Sequence, residues 1–359
     1  MQSKGHTLLL RADANTQMGT GHLMRCLALG QAWQEQGNVA HFALATEIPT
    51  LETRLTSEGI ITHCLAVKAG SDADAIQTTK LAHHIGARWV VVDGYQFNAG
   101  YQQAIKQAQL RLLFLDDYGH AEHYYADLVL NQNISADEAF YYNREPYTRL
   151  LLGRRYTLLR REFWAYRGWQ RTIPVVARRV LVTMGGSDPN NVTLRIIRAL
   201  EQATVKRLEA IVVVGAHNPH IETLRTAVQF SRIRIQLQQN STHMPELMAW
   251  ADVAISAGGS TCWELAFMGL PSLVGVIADN QLGIALGLAR QNVAQNLGWF
   301  EAINEDYISE ALISLVNDYA RRVRTSEAGH RLVDGKGGQR IGAAIQDYDR
   351  TNNSCEFCY

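Results

Sequence analysis

Residues 254–271 confine what this chain can fold into more than any other stretch. Ala254-Ile255-Ser256-Ala257 is an apolar run of the kind buried in a sheet, Gly258 and Gly259 turn the chain, and Ser260 or Thr261 caps a helix. Gly269 and Pro271 stop that helix and lead into a second apolar run, 272–276. Backbone N–H groups at the helix start, with the positive end of its dipole, make an anion site. Glycine lets a phosphate come close there because no Cβ intervenes. Glu264, one turn in, lies on the face that turns back toward the loop. A carboxylate at that place can accept both hydroxyls of a ribose. Taken alone, this is also an ordinary capped strand–turn–helix; similar loops elsewhere in the chain give it functional weight.

The first half alternates apolar runs with helical stretches. Strands are expected at 6–13, 39–44, 60–65, 88–93, 110–115 and 127–130, with helices at 22–36, 49–58, 72–85 and 98–109. Residues 153–178, rich in arginine, tyrosine and tryptophan, break the rhythm. A second series then begins at 179–184 and continues through strands at 210–214, 232–237, 252–256 and 272–276. This pattern predicts an α/β protein of two facing Rossmann-like domains with the active site in the cleft between them. The boundaries expected are 1–165 for the first domain, 176–345 for the second, and 346–359 for a polar tail.

At 359 residues the chain has room for about two such domains. Lysine plus arginine equals aspartate plus glutamate, 34 each, so no global field draws it to nucleic acid or an anionic membrane. The apolar run 7–10 ends at Arg11, too short for a signal peptide or a membrane span, so a cytoplasmic protein without stable membrane insertion is expected. Five scattered cysteines show no disulfide framework. Cys355 and Cys358 have the spacing of half a zinc knuckle but lack two further ligands, which leaves a frayed tail as the expectation.

Glycines and polar residues gather where the strands end. Asp13 precedes Gly19-Thr20-Gly21-His22, a glycine turn that opens a helix and sets an imidazole at its start. Met24 stands where the dinucleotide fingerprint needs its third glycine. A neutral histidine there could take a proton from water, its ordinary pKa being about 6.5, or merely cap its own helix. Asp93-Gly94-Tyr95 offers a carboxylate that could bond loop amides, and a phenol that could meet a sugar or pack on the linker. Asp116-Asp117 ends another strand. Gly185-Gly186-Ser187-Asp188 is a second nest of N–H groups suited to a diphosphate or a base, or a plain turn before a helix. In Ala278-Asp279-Asn280-Gln281, Asn280 is either a helix cap or an amide for an acetamido or hydroxyl group. Phosphates and a sugar bound without a P-loop point to a nucleotide sugar.

In this order, Arg11-Ala12-Asp13-Ala14, Met18 to Cys26, Val92-Asp93-Gly94-Tyr95, Met184 to Asp188, Ile255 to Thr261, Glu264-Leu265 and Asn280-Gln281 resemble the UDP-2,4-diacetamido-2,4,6-trideoxy-β-L-altropyranose hydrolases of pseudaminic acid biosynthesis. That family, PseG, is similar in fold to the MurG-type GT-B glycosyltransferases. The resemblance spans about residues 6–345. It implies that His22 activates water for attack at the anomeric carbon, without metal or cofactor, and that the second domain binds UDP. Tyr95 would line the sugar pocket, and Asn280 would touch the sugar or its diphosphate. Gly259, Ser260 and Thr261 would hold phosphate, and Glu264 the ribose. Asp13, Gly21, Gly185, Gly186, Ser187 and Gln281 complete the expected substrate site. The partner implied is a small-molecule UDP-sugar, the protein acting as a monomer. A GT-B glycosyltransferase passing the sugar to an acceptor hydroxyl is the alternative, and a non-catalytic nucleotide-sugar binder a third reading.

Overall fold

The computed structural model describes residues 5–14, 20–186, 188–216 and 218–353. Met18, Gly19, Ser187, Cys355 and Cys358 lie outside the described residues. Contacts divide the chain into two compact units, the first built mainly on His22–Arg161 and the second on Glu162–Asp334, with the chain from Gly335 returning to the first. The first unit runs β1 (Thr7–Ala12), α1 (Gly21–Glu35), β2 (Val39–Leu44), α2 (Pro49–Ser57), β3 (Ile61–Cys64), α3 (Asp72–His84), β4 (Trp89–Asp93), α4 (Ala99–Gln107), β5 (Arg111–Leu115), β6 (Leu128–Asn131) and β7 (Arg149–Leu152). The second runs β8 (Arg179–Thr183), α5 (Val192–Gln202), β9 (Glu209–Val214), α6 (Ile221–Gln229), β10 (Arg234–Gln239), α7 (Met244–Trp250), β11 (Val253–Ala257), α8 (Thr261–Phe267), β12 (Ser272–Val276), α9 (Asp279–Arg290), β13 (Ala294–Trp299), α10 (Glu305–Asn317) and α11 (Tyr319–Leu332). Helix α12 (Gly337–Asn353) closes the first unit.

Every strand pairing is parallel, and the sheets share one winding. Their orders are β3-β2-β1-β4-β5-β6-β7 and β10-β9-β8-β11-β12-β13. Both are Rossmann-like, with the strand order reversing direction at β1/β4 in one and at β8/β11 in the other. Central strands are buried on both faces: all of β4, β11 and β12 are shielded from solvent. Parallel strands covered by helices on both sides must be apolar throughout, which is why these were the easiest to read. The edges are different. β7 and β13 were not expected from the sequence, because edge strands keep polar residues such as Arg149, Gln295 and Asn296.

The end of the chain corrects the sequence reading. Residues 346–353 are not a frayed tail; they continue α12, whose Ile341, Ile345 and Tyr348 enter the core with Leu8, Trp33 and Trp89. The polar residues that suggested a tail are ligands for groups at the near ends of the strands. Trp89 Nε1–H donates to Asp349 over 3.2 Å, Arg149 pairs with Asp347 at 3.1 Å, and the Arg111 and Arg149 guanidiniums lie over the Tyr348 ring. Cutting the chain before Tyr348 would therefore uncover the Trp89 ring of β4. Tyr348→Ala should destabilise the protein by about 3–5 kcal/mol, as loss of a buried aromatic does. Urea denaturation measures this as a lowered midpoint; an unchanged midpoint would return the segment to the status of a tail.

Candidate functional site

In doubly wound sheets, loops diverge where the strand order reverses and leave a crevice at the carboxyl ends of the two strands. The residues singled out in the sequence fall at these places in both units. In the first, β1 leads to Asp13 and to the start of α1, and β4 leads to Gly94-Tyr95. In the second, β8 leads to Gly185-Gly186 and β11 to Gly258-Gly259-Ser260.

His22 is the second residue of α1 and is 8% exposed. Its Nδ1–H donates to Asp93 Oδ1 over 2.6 Å. Asp93 is fully buried. Burial alone would raise its carboxyl, but Arg25 and His22 outweigh that and hold it below its ordinary value. An ionised carboxylate can only accept, so a proton sits on Nδ1, and in the neutral ring the lone pair is then on Nε2. Arg25 stands three residues after His22, on the same helix face. It grips both Asp93 oxygens, through Nε at 2.8 Å and Nη2 at 2.7 Å, and donates from Nη1 to Asp117 Oδ1 at 2.7 Å. Nη2 also comes within 3.4 Å of His22 Nδ1, but both are donors, so this is a contact and not a bond. Asp117 further accepts from the Tyr95 hydroxyl at 2.8 Å and from Asn133 Nδ2 at 2.8 Å. The Tyr95 ring meets the His22 ring edge-on, centroids 4.8 Å apart.

Asp116 shapes the loop that carries Asp117. It accepts the backbone N–H groups of Asp117, Tyr118 and Gly119 at 2.5, 2.8 and 2.9 Å, and the Tyr124 hydroxyl. One of two adjacent carboxylates therefore folds the loop, and the other meets Arg25. Asp13 meets protein groups at both of its oxygens. Its Oδ1 accepts the Ala45 N–H at 2.8 Å, and its Oδ2 lies 2.7 Å from buried Arg11. Arg11 in turn is bound by Asp74 at 2.9 and 2.7 Å. Asp13 thus ties β1 to the end of β2, while His22 and Tyr95 come together around Asp93, Arg25 and Asp117. Those three were quoted in the sequence without a catalytic role. The signal for them was the His-x-x-Arg spacing: a cation on a face turned to strand ends must find carboxylates there.

In the second unit, Gly258 packs so tightly on α9 that an added Cβ would lie 3.0 Å from the Gln281 carbonyl oxygen and 3.1 Å from its Cβ. At Gly259 a Cβ would meet nothing within 4 Å. Ser260 is the helix-start residue of α8, but its side chain does not cap, and α8 is only seven residues long. The amides of Cys262 and Trp263 bond back to the Gly259 and Ser260 carbonyls. Thr261 and Glu264 lie in the first turn of α8. Asn280 is not the cap of α9 either: Ala278 holds that position, and Gln281 Oε1 accepts the Ile277 N–H at 3.1 Å. Asn280 stands exposed in the first turn, next to an open hollow lined by Ile277, Ala278, Asp279, Trp299 and Glu301. Gly185 has φ +85°, a backbone that favours glycine, and Gly186 abuts Gly215 of the β9 loop. The helix amides beyond them are already used, since Asp188 accepts from Val192 N–H at 2.8 Å and Thr193 N–H at 2.9 Å.

Residues 180–327 match the glycosyltransferase family 28 C-terminal domain. The spore coat polysaccharide biosynthesis protein SpsG of Bacillus subtilis is 30% identical over 224 residues, 62% of this chain and 65% of that protein. The chain thus spans less than two thirds of that relative. The UDP-2,4-diacetamido-2,4,6-trideoxy-beta-L-altropyranose hydrolase of Campylobacter jejuni is 22% identical over 291 residues, 79% of this chain and 96% of that one. Among solved structures, Acinetobacter baumannii MurG superposes with a TM-score of 0.64 over 95% of this chain and 99% of its own, at 15% identity. The fold is that of the GT-B glycosyltransferases, two Rossmann-like domains. No described helix is long and apolar enough to cross a membrane.

The two glycines after β11 should behave oppositely. Gly258→Ala crowds Gln281 in the first turn of α9 and should lower stability by about 1–3 kcal/mol, the usual cost of overpacking. Gly259→Ala should leave the thermal midpoint where it is. Melting both variants beside the parent checks this; equal midpoints would mean that Gly258 is not tied to α9.

Proposed function

We propose that the protein is a nucleotide-sugar hydrolase that releases UDP from UDP-2,4-diacetamido-2,4,6-trideoxy-β-L-altropyranose. The observation that carries this reading is the His22–Asp93 pair: a carboxylate that holds Nδ1–H leaves Nε2 as a base, and a pure binder needs none. The similarity to the Campylobacter jejuni hydrolase over 79% of the chain supports the substrate class. Residues 1–165 then carry the base and 176–345 take the nucleotide. Water attacks the anomeric carbon and gives its proton to His22 Nε2. The bond from that carbon to the diphosphate oxygen breaks, and its electron pair leaves with UDP. The turn at Gly259, Ser260 and Thr261 receives the phosphates, helped by the loop of Gly185, Gly186 and Ser187. Glu264 takes the ribose hydroxyls, Asn280 and Gln281 the sugar side. Gly21 keeps the helix start open beside His22, and the Tyr95 ring forms a wall of the sugar pocket while its hydroxyl is committed to Asp117. The step uses no metal or cofactor. A cytoplasmic monomer suffices for it.

The match to a glycosyltransferase domain favours one second reading, transfer of the sugar to an acceptor hydroxyl by the same machinery. The two readings separate when the UDP-sugar is incubated in oxygen-labelled water without acceptor. The hydrolase releases UDP and places the label in the sugar. Label in UDP, or release that depends strictly on an added acceptor, overturns it. His22→Asn should lower kcat by about 10²–10⁴ with UDP affinity nearly unchanged, since a base acts only in the transition state. Glu264→Gln should instead weaken UDP by about 1–3 kcal/mol, the worth of a charge-assisted hydrogen bond, and raise KM. Steady-state kinetics beside nucleotide titration distinguishes them.

A further inference from the structure

A base held by one carboxylate needs only a dyad, yet this ring sits at the end of a longer buried chain. Asp93 could rotate about its own side chain if His22 were its only partner. The Arg25 fork removes that freedom by fixing both oxygens, at 2.8 and 2.7 Å. The same guanidinium would also neutralise Asp93 and leave no charge to favour a protonated ring. Asp117 alters that balance. With the ring neutral, two carboxylates face one guanidinium, so the cluster carries one net negative charge that a proton on His22 cancels.

Among the described residues, the titratable groups at the ring and its carboxylates are Asp93 and Tyr95 at the end of β4, Arg25 and Cys26 on α1, Asp117 after β5, and beyond Tyr95 the His120 ring, which is paired with Asp116 at 3.2 Å. Burial pushes the Cys26 thiol well up, so it stays neutral. Asp117, although partly buried, is held well below the usual carboxylate range, chiefly by Arg25 with a contribution from His22. Its charge is therefore present at neutral pH.

We propose that Arg25 and Asp117 are positioning residues for the His22 base, Arg25 by locking the Asp93 carboxylate against Nδ1 and Asp117 by supplying the negative charge that the protonated ring answers. The proposal rests on the reading of His22 as the base. It divides the two tasks between two residues, and two variants separate them. Asp117→Asn keeps size and one acceptor oxygen for Arg25 and Asn133, turns the other oxygen into an amide donor opposite the Tyr95 hydroxyl, and removes the charge. Its kcat should fall about ten-fold, the effect of about one unit of proton affinity, with KM little changed and the acid limb of the pH–rate profile moved to lower pH. Arg25→Lys keeps charge but cannot form the fork, so kcat should fall with no comparable move of that limb. Nitrogen-labelled histidine, with His22→Asn to assign the signal, gives a readout that needs no substrate: in Asp117→Asn the His22 ring should take its second proton at lower pH than in the parent.

Unchanged kcat and an unchanged ring titration in Asp117→Asn would overturn the role of Asp117. Parent kinetics in Arg25→Lys would overturn that of Arg25; if Asp117→Asn does not fold, Asp117→Glu, which keeps the charge, carries the test of Asp117, a parent-like acid limb supporting the electrostatic role and a limb moved to lower pH overturning it. A parent that releases no UDP overturns the hydrolase reading instead. The ring titration then decides alone: a lowered midpoint supports the electrostatic role, and an unmoved one removes it.

Discussion

The guanidinium of Arg25, shared between Asp93 and Asp117, is the interaction on which the first unit's site depends. A buried cation is tolerated only when its charge and its hydrogen-bonding capacity are met, and here three nitrogens are met by two carboxylates from different strand ends. Helix α1, β4 and the loop after β5 are thereby held in one arrangement. His22 inherits its orientation from that arrangement. The ring cannot turn without breaking its bond to Asp93, and Asp93 cannot turn without releasing Arg25.

A second arginine of the first unit is held by two carboxylates in the same way. Arg11, fully buried on β1, is bound by Asp74 of α3 and by Asp13, and its guanidinium lies over the Phe97 ring. Burial would lower its pKa, but Asp74 and Asp13 drive it up instead, so the charge is permanent. Asp74 also accepts the Gly70 N–H at 2.8 Å. The loops at the carboxyl ends of β1, β2 and β3 are thus drawn together by charge, beside the backbone bonds that Leu65 and Val67 make to the Leu44 and Ala45 carbonyls. This explains why Asp13, a strand-end carboxylate in a promising motif, is part of the frame.

The second unit shapes its central loops by close backbone packing. A Cβ at Gly215 would lie 2.0 Å from the Gly186 carbonyl oxygen and one at Gly258 3.0 Å from that of Gln281, so neighbouring loops approach at glycine distances. Both strategies serve the same topology, since in each sheet the reversal of strand order leaves the central loops without a neighbour to shape them.

The sequence by itself determined the α/β class, the two Rossmann-like series, the buried central strands and the positions of the glycine turns. Each of these is written in local signals: unbroken apolar runs, helical periodicity and glycine where the backbone needs room. It also placed His22 and Tyr95 at strand ends that the fold brings together. Edge strands β7 and β13 escaped because their polar residues carry no such signal, and the last helix was hidden because Asp347 and Asp349 read as solvent-facing until Arg149 and Trp89 stood opposite. Helix caps were misjudged at Ser260 and Asn280, where Gln281 closes the second helix start from within its own first turn. Which carboxylate does what was a tertiary matter throughout. Asp13, Asp93, Asp116 and Asp117 all end strands and look alike in sequence; only the partners supplied by residues far along the chain make one a brace, one the ring's anchor, one a loop former and one the balancing charge. A charge has no meaning until its neighbours are known, and in a buried site those neighbours come from several strands at once.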